Sequence, residues 1–290
     1  MNEPAPAANR IASIRQRLLD RARTRGEDFQ LVLDRFAVER LLYRLSISTH
    51  QDQFLLKGAM LFALWFDQPH RPTRDADFLG FGSPDPARLA AIARDLCTIA
   101  SDDALQFDTA SITVEAIREA ASYEGLRLRL HAHLGHARCH VQWDVGFGDA
   151  VTPGPVETDY PVLLDDMPAP RLRVYPRETV FAEKVEAISS LGIANSRMKD
   201  YFDLLALVRE AAMDETMLRA AIGATFERRG TRLSEDVPFG LTDEFSHDRQ
   251  KQAQWHAFLR RNRLGGVSLE DATSEIRAFV RPLLPRIDQR

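Results

Sequence analysis

The chain has 290 residues, 44% of them hydrophobic, and a formal net charge of −4. That is apolar material for one large domain or two of ordinary size, and the overall balance is not that of a protein coating nucleic acid through bulk positive charge. No apolar run reaches the roughly 18 residues of a membrane-spanning helix, the opening MNEPAPAANR lacks the pattern of a signal peptide, and two cysteines, Cys97 and Cys139, without a disulfide framework or metal pair suit a reducing cytosol.

The Pro/Ala-rich first ten residues are expected to be poorly ordered. Ile11, Ile14 and Leu18 then recur at helical spacing among six arginines between Arg10 and Arg25, against one acid, Asp20. A second helix is predicted from Phe29 to Ile47, with Leu33, Phe36, Leu41 and Leu45 toward the core. The next stretch, FLLKGAMLFALWFDQPHRPTRDADF from Phe54 to Phe78, reads as strand, small-residue turn at Lys57-Gly58-Ala59, helix from Met60 to Phe66, polar loop, and strand. Ser83 or Asp85 can cap a following helix that opens on Pro86. Residues 105–118 read as short strands. From Gly125, Leu126, Leu128 and Leu130 alternate with Arg127, Arg129 and His131, and Leu134-Gly135-His136 makes a hairpin turn. On the return strand Val141, Trp143 and Val145 share one face, Gln142 and Asp144 the other. A proline-containing connector at 151–170 marks the expected boundary, giving domains 1–155 and 156–290. Beyond it the periodicity is helical: around Phe181, Val185 and Ile188, around Asp200, Asp203, Leu204 and Leu207, and near 213–227, 249–262 and 269–284, with 228–248 irregular. The last stretch, from Arg249 to Arg290, carries nine basic residues against four acidic. Either basic end could track a phosphate backbone or be an ordinary solvated helix face.

Chemistry concentrates at a few positions. Asp75 and Asp77 alternate on one strand and so face the same way, two like charges that call for a cation. Asp144 adds a third carboxylate, again on a strand. Three such groups suit the two-metal arrangement of phosphoryl and nucleotidyl transfer. Gly58 and Ala59 let backbone approach a phosphate at a strand-to-helix junction. Lys184 lies in the otherwise apolar VFAEKVEAI, either snorkelling to solvent or serving as a point charge on a triphosphate. In Lys199-Asp200-Tyr201-Phe202-Asp203, the two acids share a helix face, as a helix N-terminal cluster, to orient Lys184 or Arg74, or to contact the nucleotide. His131, His133, His136 and His140 with Cys139 fit no usual zinc spacing and scatter over both faces of the hairpin.

Three separated blocks, FLLKGAMLFALWF…RPTRDADFLGFG, VQWDVGFGD, and YPRETVFAEKVEAISSL…RMKDYFDLLAL, resemble the AbiEii/AbiGii family of nucleotidyltransferase-like toxins. The MenT toxins are relatives, within the DNA polymerase beta-like nucleotidyltransferase superfamily. The resemblance implies an α+β fold, a minimal nucleotidyltransferase core of mixed sheet flanked by helices, with a helical C-terminal domain. It places Asp75, Asp77 and Asp144 at the metal-binding positions, Lys57, Gly58 and Ala59 at the phosphate turn, and Lys184, Lys199, Asp200 and Asp203 in the matching Glu-Lys and Lys-Asp-x-x-Asp blocks. One departure is Ala59, where superfamily members usually carry Gly or Ser; it keeps an N–H but offers no hydroxyl.

The resulting expectation is a cytoplasmic toxin of a toxin–antitoxin pair. It would move a nucleotide from an NTP to RNA, with the tRNA 3′ end as acceptor, using Mg²⁺ or Mn²⁺ and releasing pyrophosphate. Arg74 and Lys184 would neutralise triphosphate charge, Asp144 would accept the proton, and the site would lie in a cleft between the two halves. The partner implied is a winged-helix antitoxin, with no membrane. The alternatives are transfer to a protein acceptor, or a non-catalytic binding protein on the same fold.

Overall fold

In the computed structural model, residues 7–66, 71–120, 123–210 and 212–285 are described. The expectations for residues 1–6 and for the loop at 67–70 therefore lie outside the described residues, whereas Ala7–Arg10, expected to be poorly ordered, already belong to a helix. The chain divides into two units, residues 1–148 with 157–174, and residues 149–156 with 175–290.

The first unit is built on a seven-stranded mixed sheet in the order β3-β4-β5-β2-β1-β7-β6. Helix α1 (Ala7–Arg25) buries Ile14, Leu18 and Ala22. Helix α2 (Phe29–Ser46) starts where the Asp28 side chain accepts the Leu31 N–H at 3.0 Å. Strand β1 (Phe54–Lys57) runs into a 3₁₀ turn, Gly58–Leu61, and only then a short helix α3 (Phe62–Trp65), so the helix expected from Met60 is a tighter turn at its start. Strand β2 (Asp75–Gly80) follows, then α4 (Pro86–Thr98), capped by Asp85 rather than Ser83. Instead of short strands, residues 105–120 form one long strand, β3 (Leu105–Ala120), whose register shifts between Asp108 and Thr113. Strands β4 (Tyr123–Leu134) and β5 (Ala137–Phe147) make the expected hairpin. One sheet face is apolar: Trp143 packs against Phe78 at 4.7 Å between ring centroids, and Phe54 against Phe78 at 5.7 Å.

The connector contributes strand β6 (Val156–Asp159) to this sheet, and β7 (Arg171–Val174), directly after it, runs parallel to β1. The grouping of 157–174 with the first unit, compared with the boundary expected at 155/156, has a direct cause. In β7, Leu172 and Val174 are buried, and the Tyr160 hydroxyl donates to the Met60 carbonyl at 3.2 Å. Glu39 on α2 accepts the Leu163 N–H at 2.6 Å and pairs with Arg40 at 2.7 Å, while Arg40 donates to the Pro168 carbonyl at 3.0 Å.

Burial pushes the Glu39 carboxyl up to about 7, against the pull of Arg40 and the Leu163 amide. A carboxyl raised on folding stabilises fully below its unfolded value of 4.5 and loses that contribution as pH climbs through about 7. The expected loss is about 3 kcal/mol between pH 4.5 and 7.5. Urea denaturation at successive pH values should show a flatter profile for Glu39→Gln than for the unsubstituted chain; parallel profiles would exclude Glu39 as the source.

The second unit is helical: α5 (Arg177–Leu191), α6 (Met198–Glu210), α7 (Glu215–Arg229), α8 (Asp243–His247), α9 (Arg249–Asn262) and α10 (Leu269–Val280). Helix α8 and the 3₁₀ turn Phe239–Leu241 occupy the stretch expected to be irregular. The helix expected to reach residue 284 tightens after Val280 into the 3₁₀ turn Arg281–Leu283. Segment 149–156 is held by Arg229, which pairs with Asp149 at 3.2 Å, and by the Thr179 hydroxyl, which donates to the Thr152 carbonyl at 2.8 Å. Tyr201 stacks on Phe245 at 5.3 Å in the core. Among the described residues, no helix is long and apolar enough to cross a membrane.

Candidate active site

The sheet order brings the three strand-borne carboxylates together. Strands β2 and β5 pair in parallel, with Asp77 beside Asp144 and Asp75 beside Gln142. Side chains two apart share a face, so Asp75 stands on the same side as the other two acids. One ligating oxygen from each of Asp75, Asp77 and Asp144 lies within 4.8 Å of the others. The opposite face at this point carries Ala76, Phe78 and Trp143, all buried, which commits the strands to this orientation.

The turn after β1 closes on the same place. Antiparallel pairing sets Lys57 opposite Asp77. Gly58 has φ +76°, and a Cβ there would sit 2.0 Å from Asp77 Oδ2 and 2.7 Å from its Cγ. The glycine is thus required both by backbone conformation and by the carboxylate lying over it. Gly58→Ala is expected to cost at least about 2 kcal/mol, from left-handed strain plus the clash, and to push Asp77 out of the acid group. Thermal denaturation checks the first effect, and a weaker Mn²⁺ affinity checks the second. Ala59 follows in the turn; Arg74, just before β2, is exposed.

Sequence reasoning missed Arg127. It faces Asp144 across the β4–β5 pair, donating from Nε to Oδ1 at 2.8 Å and from Nη2 to Oδ2 at 2.6 Å. Gln142 adds a third donor to Oδ1 at 3.2 Å. The hydrogen bond to Asp144 holds the Arg127 guanidinium above its usual value, with further help from Asp75 and Glu115. A signal was present: the two-residue turn at Gly135–His136 pairs Leu134 with Ala137, and counting back along both strands pairs Arg127 with Asp144.

The remaining candidates gather in the second unit. Lys184 Nζ, on α5, donates to Asp200 Oδ1 at 2.9 Å and to Asp203 Oδ2 at 2.8 Å, both on α6 and both fully buried. Arg197 Nε adds a contact to Asp200 Oδ2 at 2.7 Å. Burial alone would raise the Asp200 carboxyl; Lys184 and Arg197 overcome it and hold it below the usual carboxylate range. Lys199 is exposed. On the β4–β5 hairpin His131 and His140 are cross-strand neighbours, their rings edge-on at 5.2 Å. The arginines of α1 are partly spent inside the first unit, Arg10 on Asp102 at 2.8 Å and Arg17 on Asp166 at 2.7 Å, leaving Arg15, Arg23 and Arg25 exposed.

Three strand carboxylates around one point are a hard, oxygen-rich donor set that fits a divalent metal, and the glycine cradle beneath Asp77 keeps them converged. The protein-family model described as nucleotidyl transferase AbiEii toxin, type IV toxin–antitoxin system, matches residues 40–278. No curated protein matches the chain. Among solved structures, one Helicobacter pylori protein, described as a candidate nucleotidyltransferase, is 14% identical and aligns over 88% of this chain and 94% of its own, with a TM-score of 0.50. Another, JHP933 from Helicobacter pylori, is 14% identical over 89% of this chain and 92% of its own, with a TM-score of 0.49. At such identity a structural likeness speaks to the fold alone, the α+β nucleotidyltransferase fold of a mixed sheet flanked by helices. The family match spans most of the sequence and takes in all three carboxylates, and the chain belongs to the AbiEii family of nucleotidyltransferase toxins.

Proposed function

We propose that this chain transfers a nucleotide from an NTP to RNA, with the tRNA 3′ end as the favoured acceptor and pyrophosphate as the leaving group. The observation that carries the reading is the convergence of Asp75, Asp77 and Asp144 above the Gly58 turn. Asp75, Asp77 and Asp144 would hold Mg²⁺ or Mn²⁺. Bound there, a divalent ion supplies Lewis acidity toward phosphate oxygens and lowers the pKa of a coordinated hydroxyl. Lys57 and the backbone N–H groups of Gly58 and Ala59 would bind the triphosphate, with Arg74 adding positive charge from its exposed position. Lys184, oriented by Asp200 and Asp203, contributes a further cation in this reading, and Lys199 a contact to the nucleotide.

Asp144 is the carboxylate proposed to accept the proton of the attacking hydroxyl. Both its oxygens accept from Arg127, so one of those bonds must loosen first. The exposed Arg15, Arg23 and Arg25 of α1 would steer the acceptor RNA, a contribution that weakens with salt. In its cellular setting the protein acts in the cytoplasm, and a winged-helix antitoxin silences it.

The test is incubation of the purified chain with NTPs labelled at the α-phosphate, total RNA and Mg²⁺. Label should enter RNA of tRNA size, with pyrophosphate released. Label confined to protein would replace the RNA reading with the protein-acceptor one.

A further inference from the structure

The carboxylate group does not stand alone in its charge. Arg127 sits opposite Asp144 by strand register, on the face that carries Asp75 and Asp77. Its fork makes two charge-assisted hydrogen bonds, 2.8 Å and 2.6 Å, one to each oxygen of Asp144. The two partners differ in freedom: the Asp144 side chain is 10% exposed and that of Arg127 is 29% exposed. The carboxylate is therefore anchored, while the guanidinium has a route toward solvent along its flexible stem.

We propose that Arg127 is a resident counter-ion of the acid group, holding Asp144 in place and restraining metal affinity until a divalent cation displaces its charge. The inference rests on the reading of Asp75, Asp77 and Asp144 as a metal centre. The electrostatics give it direction. Arg127 offsets the charge of Asp144, as Lys57 stands opposite Asp77 on β1, so the acid group meets an incoming divalent ion with part of its negative charge already compensated. Without the guanidinium one more negative charge is exposed to the incoming ion, and the repulsion between Arg127 and that ion disappears. Both changes tighten metal binding. The bidentate grip also accounts for an otherwise costly arrangement, since a buried Asp144 beside two like charges needs a cation even before metal arrives. Arg127 is thus a positioning residue, acting on metal and substrate through Asp144.

Titration of the full chain with Mn²⁺ alone, counting free ion by electron paramagnetic resonance, tests this. The unsubstituted protein should bind one Mn²⁺ per chain in a manner that Asp77→Asn abolishes. Arg127→Gln should bind it about tenfold more tightly, while melting at a lower temperature without metal. Arg127→Lys, which keeps the charge and loses the fork, should stay within about threefold of the unsubstituted affinity. An Arg127→Gln affinity that is unchanged or weaker, with Asp77→Asn still abolishing binding, overturns the counter-ion role alone. Should Arg127→Gln fail to fold, a tenfold change in Arg127→Lys overturns it equally. Absence of any Asp77-dependent Mn²⁺ binding overturns both this inference and the metal reading beneath it.

Discussion

Asp77→Asn is expected to lower nucleotide transfer by about 10³-fold or more and to relieve growth inhibition, with far-ultraviolet circular dichroism unchanged. Asp77 is the central member of the group: Asp144 stands beside it on β5, Lys57 faces it on β1, and Gly58 lies beneath its carboxylate. The asparagine is nearly isosteric, so the contact with Gly58 and the strand pairing survive. What goes is one negative charge from a site whose proposed work is to hold positive charge against a triphosphate. Metal-assisted stabilisation is worth several kcal/mol of transition-state energy, and each 1.36 kcal/mol is tenfold in rate, hence the magnitude. The fold gains from the same change in one respect, because three converging carboxylates repel. A variant retaining more than a tenth of the activity in the labelled-NTP assay would remove Asp77 from the chemistry.

The site was readable in the sequence where local rules act and unreadable where distant strands must find each other. Alternation placed Asp75 and Asp77 on one face and Asp144 opposite Val141, Trp143 and Val145, as the strands have them. The hairpin register that gives Arg127 to Asp144 was also implicit, because a two-residue turn fixes every pair above it. The parallel pairing of β2 with β5 was not, since α4, β3 and β4 intervene and no local pattern encodes a non-sequential neighbour. Gly58 shows a partial reading. A small residue at the strand end was expected for phosphate approach, whereas the structure adds a second cause, the Asp77 carboxylate occupying the space of a Cβ. The connector was read through composition alone. Its prolines read as linker, while the short alternation Arg171-Leu172-Arg173-Val174 just beyond it forms β7, an inner strand between β1 and the edge strand β6, too brief for its four residues to stand out.

Lys184→Met is expected to destabilise the chain by about 3–5 kcal/mol, the usual effect of removing one partner from a buried ion cluster. Its ammonium is the donor at 2.9 Å to Asp200 and at 2.8 Å to Asp203, and neither acid has any exposure to water. Arg197 reaches only the other oxygen of Asp200, from a side chain 44% exposed, and cannot stand in for the lysine at Asp203. Methionine fills a similar volume, so the loss measures charge rather than a cavity. Adding Asp203→Asn should recover part of it, because the double variant removes a carboxylate that the single variant leaves without its ammonium. Urea unfolding of the two variants against the unsubstituted chain gives this coupling directly. The same pair bears on the lysine's role in transfer. A Lys184→Met protein that unfolds like the parent yet has a raised KM for NTP would sink the stability prediction and place the ammonium on the nucleotide; a chain that loses 3–5 kcal/mol, with activity restored by Asp203→Asn, would make Lys184 the clasp between α5 and α6.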